Sequence, residues 1–478
     1  MSTGRSILRS TVVLSAGQLI NLGLTLATTV VIARTVGEET FGYFYWLLAL
    51  LNLLALLPDF GLSPIVLREI ARDQKGTGSL LGTSLLVRTC LVIVSAVLFT
   101  IAAPLAGLEG SAIVLVNFLL LNVLFSSKLP IHRYSLEGVF RAQLRMKVPM
   151  VLSTLDGVVL LAGALLLLHP GSPVSTVVML YTLSNVPGFA ILLFLVLRSE
   201  GIRLSFSMPV ARDLLRWAFP IAVYVALVAL TMNVDVLLLR LYRGDAAVGI
   251  YAAATRFALP LMFLPASVVS SLFPSLAVYA ERERDKMKDA FVIGLKVLLV
   301  LGVAIAVFGT VAGDTIVSLF YGDRFREAGL PLKILLWNMM VVFVSFLLTN
   351  FNIAVDRQRV NASYAALICG ANVALNLVLI PAFSAVGAAS ARLVAEVAGC
   401  GFLAFGIRRH VTISLTPLMG RLILLACGFG LVLVLLEGFG LVLLVLGGGT
   451  AFVGLVAAMR VFDRVETQKF RMALQWRR

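Results

Sequence analysis

Long apolar runs, broken at intervals by short polar or glycine-bearing connections, occupy almost the whole chain. Runs able to cross a hydrocarbon core of ~30 Å, at a helical rise of ~1.5 Å per residue, predict spans near 10–33, 40–67, 80–103, 112–127, 148–168 and 174–197. A second six are expected near 217–239, 250–280, 289–320, 334–355, 361–380 and 388–407, and a final pair near 418–436 and 442–462. The pattern therefore predicts an all-α polytopic membrane protein of about fourteen transmembrane helices.

Two of the connections are copies of one another. Arg34-Thr-Val-Gly-Glu-Glu-Thr-Phe-Gly-Tyr-Phe44 returns, with one insertion, as Arg240-Leu-Tyr-Arg-Gly-Asp-Ala-Ala-Val-Gly-Ile-Tyr251. Gly37 then matches Gly244 and Gly42 matches Gly249, each pair 207 residues apart, and Pro58 and Pro265 keep the same offset. Such register over two glycines and a proline indicates an internal repeat. The expected organisation is a six-helix lobe at 1–198, a cytoplasmic linker at 199–216, a second six-helix lobe at 217–409, helices 13 and 14 within 410–463, and a basic tail at 464–478.

Composition agrees with a membrane location, because 60% hydrophobic and 13% charged residues cannot clothe a soluble globule of 478 residues. Arg5 and Arg9 precede an apolar run to Val31 that is too long for a signal h-region, so the run is expected to stay as the first span. Cys90, Cys369, Cys400 and Cys427 lie in apolar segments without metal or disulfide spacing, and packing is their expected role.

The net charge of +15 is distributed by topology. Connections on one side of the predicted helices, with both termini, carry 29 Lys and Arg, while those on the other side carry six and four fall within spans. The positive-inside rule puts both termini in the cytoplasm and both repeat loops outside. Anionic membrane lipids are the partner this charge implies, and a nucleic acid is not needed. Within the tail, Arg464 to Arg478, with Phe470, Leu474 and Trp476, is expected to lie on the inner surface. An even number of spans between the copies makes the repeat parallel, an arrangement used by secondary transporters that rock about a central site.

Several phrases carry a family likeness. Val-Val-Ile-Ala-Arg34-Thr-Val-Gly37, Phe41-Gly42-Tyr-Phe and Leu57-Pro-Asp59-Phe-Gly61-Leu-Ser-Pro-Ile-Val-Leu-Arg68-Glu-Ile-Ala-Arg72 resemble the start of the polysaccharide transporter (Wzx-type oligosaccharide flippase) family. Asn233-Val-Asp235-Val-Leu-Leu-Leu-Arg240, Val248-Gly249-Ile-Tyr251, Leu379-Ile-Pro381 and Val386-Gly387-Ala-Ala389 are similar to its later phrases. That family shares a superfamily with the multidrug and toxin extrusion antiporters and the lipid II flippases. The resemblance implies movement of a polyprenyl-pyrophosphate-linked oligosaccharide from the cytoplasmic to the outer leaflet of the cell membrane, by alternating access. It also implies other polysaccharide-assembly proteins as partners and no cofactor.

Polar residues inside spans are costly and become candidate sites. Arg256 lies seven residues past Gly249, ~10 Å below the outer rim at helical rise, opposite Ala49 of the first copy. It suits pyrophosphate or an acidic sugar, the alternative being an ion pair with Asp235. Ser15, Gln18, Asn21, Thr25 and Thr28 share one face of the first span, for contact with sugar hydroxyls or with a neighbouring helix. Arg392 and Glu396, four residues apart, are expected to pair, and Asp156 is a candidate ion or proton site. Arg88 and Lys296 are expected to snorkel to the cytoplasmic surface. Asp59 beside Pro58 is expected to cap or kink its helix, and Pro260, Pro265 and Pro274 to bend the eighth span.

Membrane glycosyltransferases, polymerases and ligases are the competing class. The chain has no Asp-x-Asp, His-Glu-x-x-His or Gly-x-Ser-x-Gly motif, and His132, His169 and His410 read as incidental residues of connections. An ion-coupled multidrug antiporter of the same superfamily is the nearer alternative.

Overall fold

In a computed structural model of the chain, the described residues are 3–72, 77–129, 131–142, 145–198, 204–408, 416–459 and 461. Among them every regular element is an α-helix or a short 3-10 helix. Ten stretches are long and apolar enough to cross a membrane. Three of these, Gly17–Asp59, Ile221–Phe273 and Gln358–Ile407, each contain one non-helical residue, respectively Gly37, Gly244 and Ser384. Each is two apolar helices joined by a one-residue turn, and with the shorter apolar helix Gly110–Phe125 the described residues hold fourteen candidate crossings.

Side-chain contacts demonstrate these reversals. Tyr251 Oη donates to Asp235 Oδ2 at 2.6 Å, although sixteen residues of continuous helix would separate them by ~24 Å. A Cβ on Gly387 would strike the carbonyl of Leu379, eight residues earlier. Gly37 (φ 81°, ψ 174°) and Gly244 (φ 81°, ψ −175°) share one backbone conformation, in the left-handed half of the map where only glycine is at ease.

The two repeat turns also pack on each other reciprocally. A Cβ on Gly42 would collide with the carbonyl of Asp245, and a Cβ on Gly249 with the carbonyl of Glu38. In the repeat register Glu38 corresponds to Asp245 and Gly42 to Gly249, so the contact maps onto itself when the copies are exchanged. That reciprocity is the signature of a local two-fold relation between the two turns. Arg240 closes the same junction, its guanidinium 3.5 Å from the Trp46 ring and 4.7 Å from Tyr43, with Asp245 Oδ1 at 2.7 Å.

Contacts divide the chain into two compact units, Met1–Ala252 and Ala253–Arg478. The seventh span belongs with the first unit. It is held there by the glycine junction, by Asn52 donating to Asn233 at 3.1 Å, and by Gly61, whose absent Cβ leaves room for Ala218 and Ala222. A cluster including Leu62, Val66, Leu81, Leu136, Phe140, Leu192, Val196 and Leu214 forms a core of this unit.

The fourth span departs from expectation. The hydrophobic pattern ends it near 127 and assigns 128–147 to a cytoplasmic connection, yet the helical path resumes beyond a break. Gly110–Leu120 and Asn122–Phe125 are followed by non-helical residues from Ser126 and then by His132–Ala142. In this last helix His132, Arg133, Ser135, Leu136, Glu137, Val139 and Phe140 are all buried. Ser127 Oγ reaches Asp156, nine residues or ~14 Å into Lys147–Leu167, and Lys128 Nζ is 4.9 Å from the ring of Tyr181, seven residues past Val174, where the returning helix Val174–Leu183 starts. The break thus lies near mid-depth, and 110–142 is one discontinuous span. Its inner half, rich in side chains with polar ends, was invisible to an apolar-run criterion. Removing Lys128, Arg133 and Arg141 from the basic side still leaves 26 Lys and Arg there against six.

The eighth span is bent as expected: a 3-10 turn at Leu259–Met262, containing Pro260, separates Met208–Ala258 from Phe263–Arg282, which holds Pro265 and Pro274. Its counterpart bend in the second span follows Leu56–Asp59, with buried Pro58, and turns at Phe60 (φ 41°) and Gly61 (φ 72°). The basic tail and His410 lie outside the described residues.

Candidate functional site

The break in the fourth span is surrounded by charge. Arg133, fully buried, binds Asp156 Oδ2 through Nη1 at 2.5 Å and Glu137 Oε1 through Nε at 3.2 Å, while Glu137 Oε2 accepts from Arg141 Nη2 at 2.9 Å. Arg133 also reaches the carbonyl of Phe125, where the outer half of the span ends. Four charges of alternating sign therefore run from mid-depth along the inner half-helix to Arg141, whose side chain is 32% exposed. Arg133, Glu137 and Arg141 repeat every four residues, which places them on one helical face. Buried ions need this density of partners, because an unpaired one costs several kcal/mol. Asp156 packs on Gly188 of the sixth span, where any side chain would collide with its carboxylate.

Beside this ladder is a cleft of about 180 Å³. The first span lines it with Gln18 and Asn21, the fifth with Pro149, Met150 and Ser153, and the discontinuous span with Ser127, Glu137 and Arg141. Asn21 Nδ2 donates to Ser153 Oγ at 2.7 Å, leaving Asn21 Oδ1 buried without a hydrogen bond. Arg141 Nε is likewise buried and unbonded.

The polar face of the first span thus divides. Gln18 and Asn21 open on the cleft, whereas Thr28 donates to the carbonyl of Leu24 and Thr29 to that of Thr25, satisfying the helix's own backbone. Thr25 is half-buried, and the Ser15 side chain lies outside the described residues.

Arg88 does not snorkel. It is fully buried, binding Ser135 Oγ at 2.8 Å, Ser63 Oγ at 3.0 Å, Asp59 at 3.5 Å and the carbonyl of Ile131. It therefore ties the bend of the second span to the start of the inner half-helix. Asp59 acts at that bend, accepting from Ser63 Oγ at 2.5 Å. His132 is no incidental loop residue: it is buried, with Nε2 3.0 Å from both the Leu85 carbonyl and Thr89 Oγ1. His169 lies in the turn after the fifth span.

Asp235 is completely buried and holds Tyr251 in the first unit, while Arg256 is half-buried on the last turn of Met208–Ala258 and belongs to the second unit. Lys296 and Arg392 are half-buried. Glu396 is buried and accepts from Tyr364 Oη at 2.8 Å.

Two polar features escaped the hydrophobic pattern. One is the ladder, although the four-residue spacing of Arg133, Glu137 and Arg141 was readable. The other is a buried amide seam in the second unit, where Asn352 donates to Asn361 and Asn376 to Asn372, both at 3.0 Å. Among the described residues no cluster of His, Cys, Asp and Glu fits a metal ion.

Comparison with known proteins places this architecture. Residues 7–280 match the family model described as polysaccharide biosynthesis protein, and residues 200–447 match that of the lipid II flippase MurJ. A relative from Haloferax volcanii, "Probable low-salt glycan biosynthesis flippase Agl15", is 23% identical over 388 residues, covering 80% of this chain and 79% of its own. A second from the same organism, "Probable flippase AglR", is 26% identical over 170 residues, covering 34% of this chain and 35% of its own. Among solved structures, lipid II flippase MurJ in an inward closed conformation superposes with a TM-score of 0.74 at 14% identity, covering 94% of this chain and 99% of its own. An inward-facing multidrug resistance MATE family transporter gives 0.63 at 17% identity, over 81% and 95% of the two chains. Relatives and structural neighbours alike are flippases or transporters. The chain belongs to the polysaccharide biosynthesis protein family, and over residues 200–447 it also matches the lipid II flippase MurJ family.

Proposed function

We propose that this protein carries a polyprenyl-pyrophosphate-linked oligosaccharide from the cytoplasmic to the outer leaflet of the cell membrane by alternating access, for assembly of a surface glycan. The observation that carries the reading is the polar cleft beside an interrupted span, in a chain whose two repeat turns pack on each other reciprocally. A headgroup of sugars and pyrophosphate cannot cross hydrocarbon unaided, since each unpaired polar group costs several kcal/mol. A cleft lined by amides, hydroxyls and a guanidinium replaces the lost water while the prenyl tail stays in lipid.

Gln18, Asn21 and Thr25 of the first span serve the sugar hydroxyls in this reading, and Arg256 of the second unit takes the pyrophosphate. Asp235 acts through Tyr251, holding the seventh and eighth spans together beneath the repeat turn. Asp156 and the Arg392–Glu396 region are the candidate places for ion coupling. The glycines 37, 42, 244 and 249 and the bends near Pro58 and Pro265 are the moving joints. The basic connections and both termini face the cytoplasm.

Proteoliposomes test the assignment. Lipid-linked oligosaccharide bearing a fluorophore on the sugar should become exposed to the opposite leaflet only where the protein is present. Extrusion of cationic dyes without lipid translocation would instead favour an antiporter like the MATE proteins whose fold it shares.

A further inference from the structure

The cleft has a chemistry of its own at the end where Arg141 lies. Its lining includes Met146, and the residues on either side of Met146, Arg145 and Lys147, are both exposed. Of the ladder's four charges, Arg133 offsets Asp156 and Arg141 offsets Glu137, so Arg145 and Lys147 leave the mouth with two additional positive charges. Glu137 would repel an anion were it unpaired, yet both its oxygens are held, one by Arg133 and one by Arg141. Arg141 spends only Nη2 on that bond; its Nε is buried, and Nη1 is the other nitrogen left without a hydrogen bond. A guanidinium anchored through one nitrogen on a carboxylate holds its remaining Nη in a fixed direction, as a charge-assisted donor for a phosphate oxygen. The remaining polar groups of the lining are neutral, namely Gln18, Asn21, Ser127 and Ser153.

We propose that the mouth of this cleft is a docking subsite for the diphosphate of the lipid-linked glycan on the cytoplasmic side. Arg141 is its ligand, Arg145 and Lys147 attract it, and the amides and hydroxyls beyond receive the sugar attached to it. This rests on the flippase reading, and adds a capture site in the first unit to the pyrophosphate role of Arg256 in the second.

Binding to the full-length protein in neutral detergent, read by native mass spectrometry, tests the assignment with three probes: a polyprenyl diphosphate, phosphatidylglycerol and inorganic pyrophosphate. The wild type should bind the polyprenyl diphosphate in preference to phosphatidylglycerol, with inorganic pyrophosphate competing. Arg141→Lys keeps a cation for Glu137 but loses the second, fixed donor nitrogen, and should weaken diphosphate binding by about 10-fold or more, as expected for one charge-assisted bond. The exposed pair R145Q/K147Q, placed where folding is not at stake, should weaken it further at low salt than at high salt. Wild-type affinity in both variants would overturn the subsite while leaving a translocating protein a flippase. Equal displacement by phosphatidylglycerol would overturn it in favour of general anionic-lipid binding. Failure of the wild type both to bind and to translocate would remove the flippase reading together with the subsite.

Discussion

Arg133→Met cuts the ladder at its centre. The side chain it removes is fully buried and holds Asp156 at 2.5 Å and Glu137 at 3.2 Å, so the substitution strands Asp156 and leaves Glu137 to Arg141 alone where water is scarce. Removing one partner of a buried pair costs ~3–5 kcal/mol, whereas replacing both by apolar groups of similar volume is often close to neutral. Arg133→Met and Asp156→Leu should therefore each destabilise by several kcal/mol. In a Glu137→Gln background, which removes the carboxylate left with half its partners, their combination should recover most of the loss. The coupling between positions 133 and 156 should reach ~2 kcal/mol or more, far above the few tenths expected of independent sites. Reversible unfolding in mixed micelles, followed by circular dichroism, supplies the four corners of the cycle. Single costs below ~1 kcal/mol, or strictly additive effects, are the behaviour of exposed pairs and would refute a buried inner half-helix.

Other outcomes follow from the same geometry. Gly42→Ala and Gly249→Ala each force a Cβ against the backbone of the other repeat, so their costs should match, at ~1–3 kcal/mol apiece; a large cost at one and none at the other would break the two-fold relation. Trp46→Ala should lose ~0.5–2 kcal/mol of cation–π attraction only while Arg240 is present, so an equal loss in an Arg240→Ala background would dismiss that contact. With the four native cysteines replaced, Arg145→Cys should react with an impermeant thiol reagent from the cytoplasmic side and Lys128→Cys should not, while Glu39→Cys and Ala246→Cys should both react from outside. Labelling of Lys128→Cys as fast as Arg145→Cys would return 128–147 to a surface loop, and labelling of positions 39 and 246 from opposite sides would end the parallel repeat.

Much of the fold was written in hydrophobic periodicity and one repeated phrase. Gly37 and Gly244 announced their turns because a reversal between two helices needs a conformation that glycine alone adopts without strain. Their partners Gly42 and Gly249 did not reveal that they face the other copy, since a small residue records the room it leaves and not what fills it. Arg88 was misread for a related reason: an arginine near a span's end can reach water or find Asp59, Ser63 and Ser135, and its own segment does not say which. The fourth span was the main loss. Its inner half carries His132, Arg133, Glu137 and Arg141, so an apolar window stops at the break, although the four-residue spacing of its charges already described a helix with one charged face. The candidate cleft was half legible for the same reason: Gln18 and Asn21 stand out in an apolar first span, while Glu137 and Arg141 looked like ordinary surface charges.

Transport by the purified protein in sealed proteoliposomes is the most direct test. Fluorescent polyprenyl-pyrophosphate oligosaccharide placed in one leaflet should reach the other with the wild type, and should fail to do so with Arg256→Ala inserted and folded at the wild-type level. Exclusive movement of cationic dyes by the wild type, with the lipid-linked oligosaccharide left in its original leaflet, would contradict the assignment.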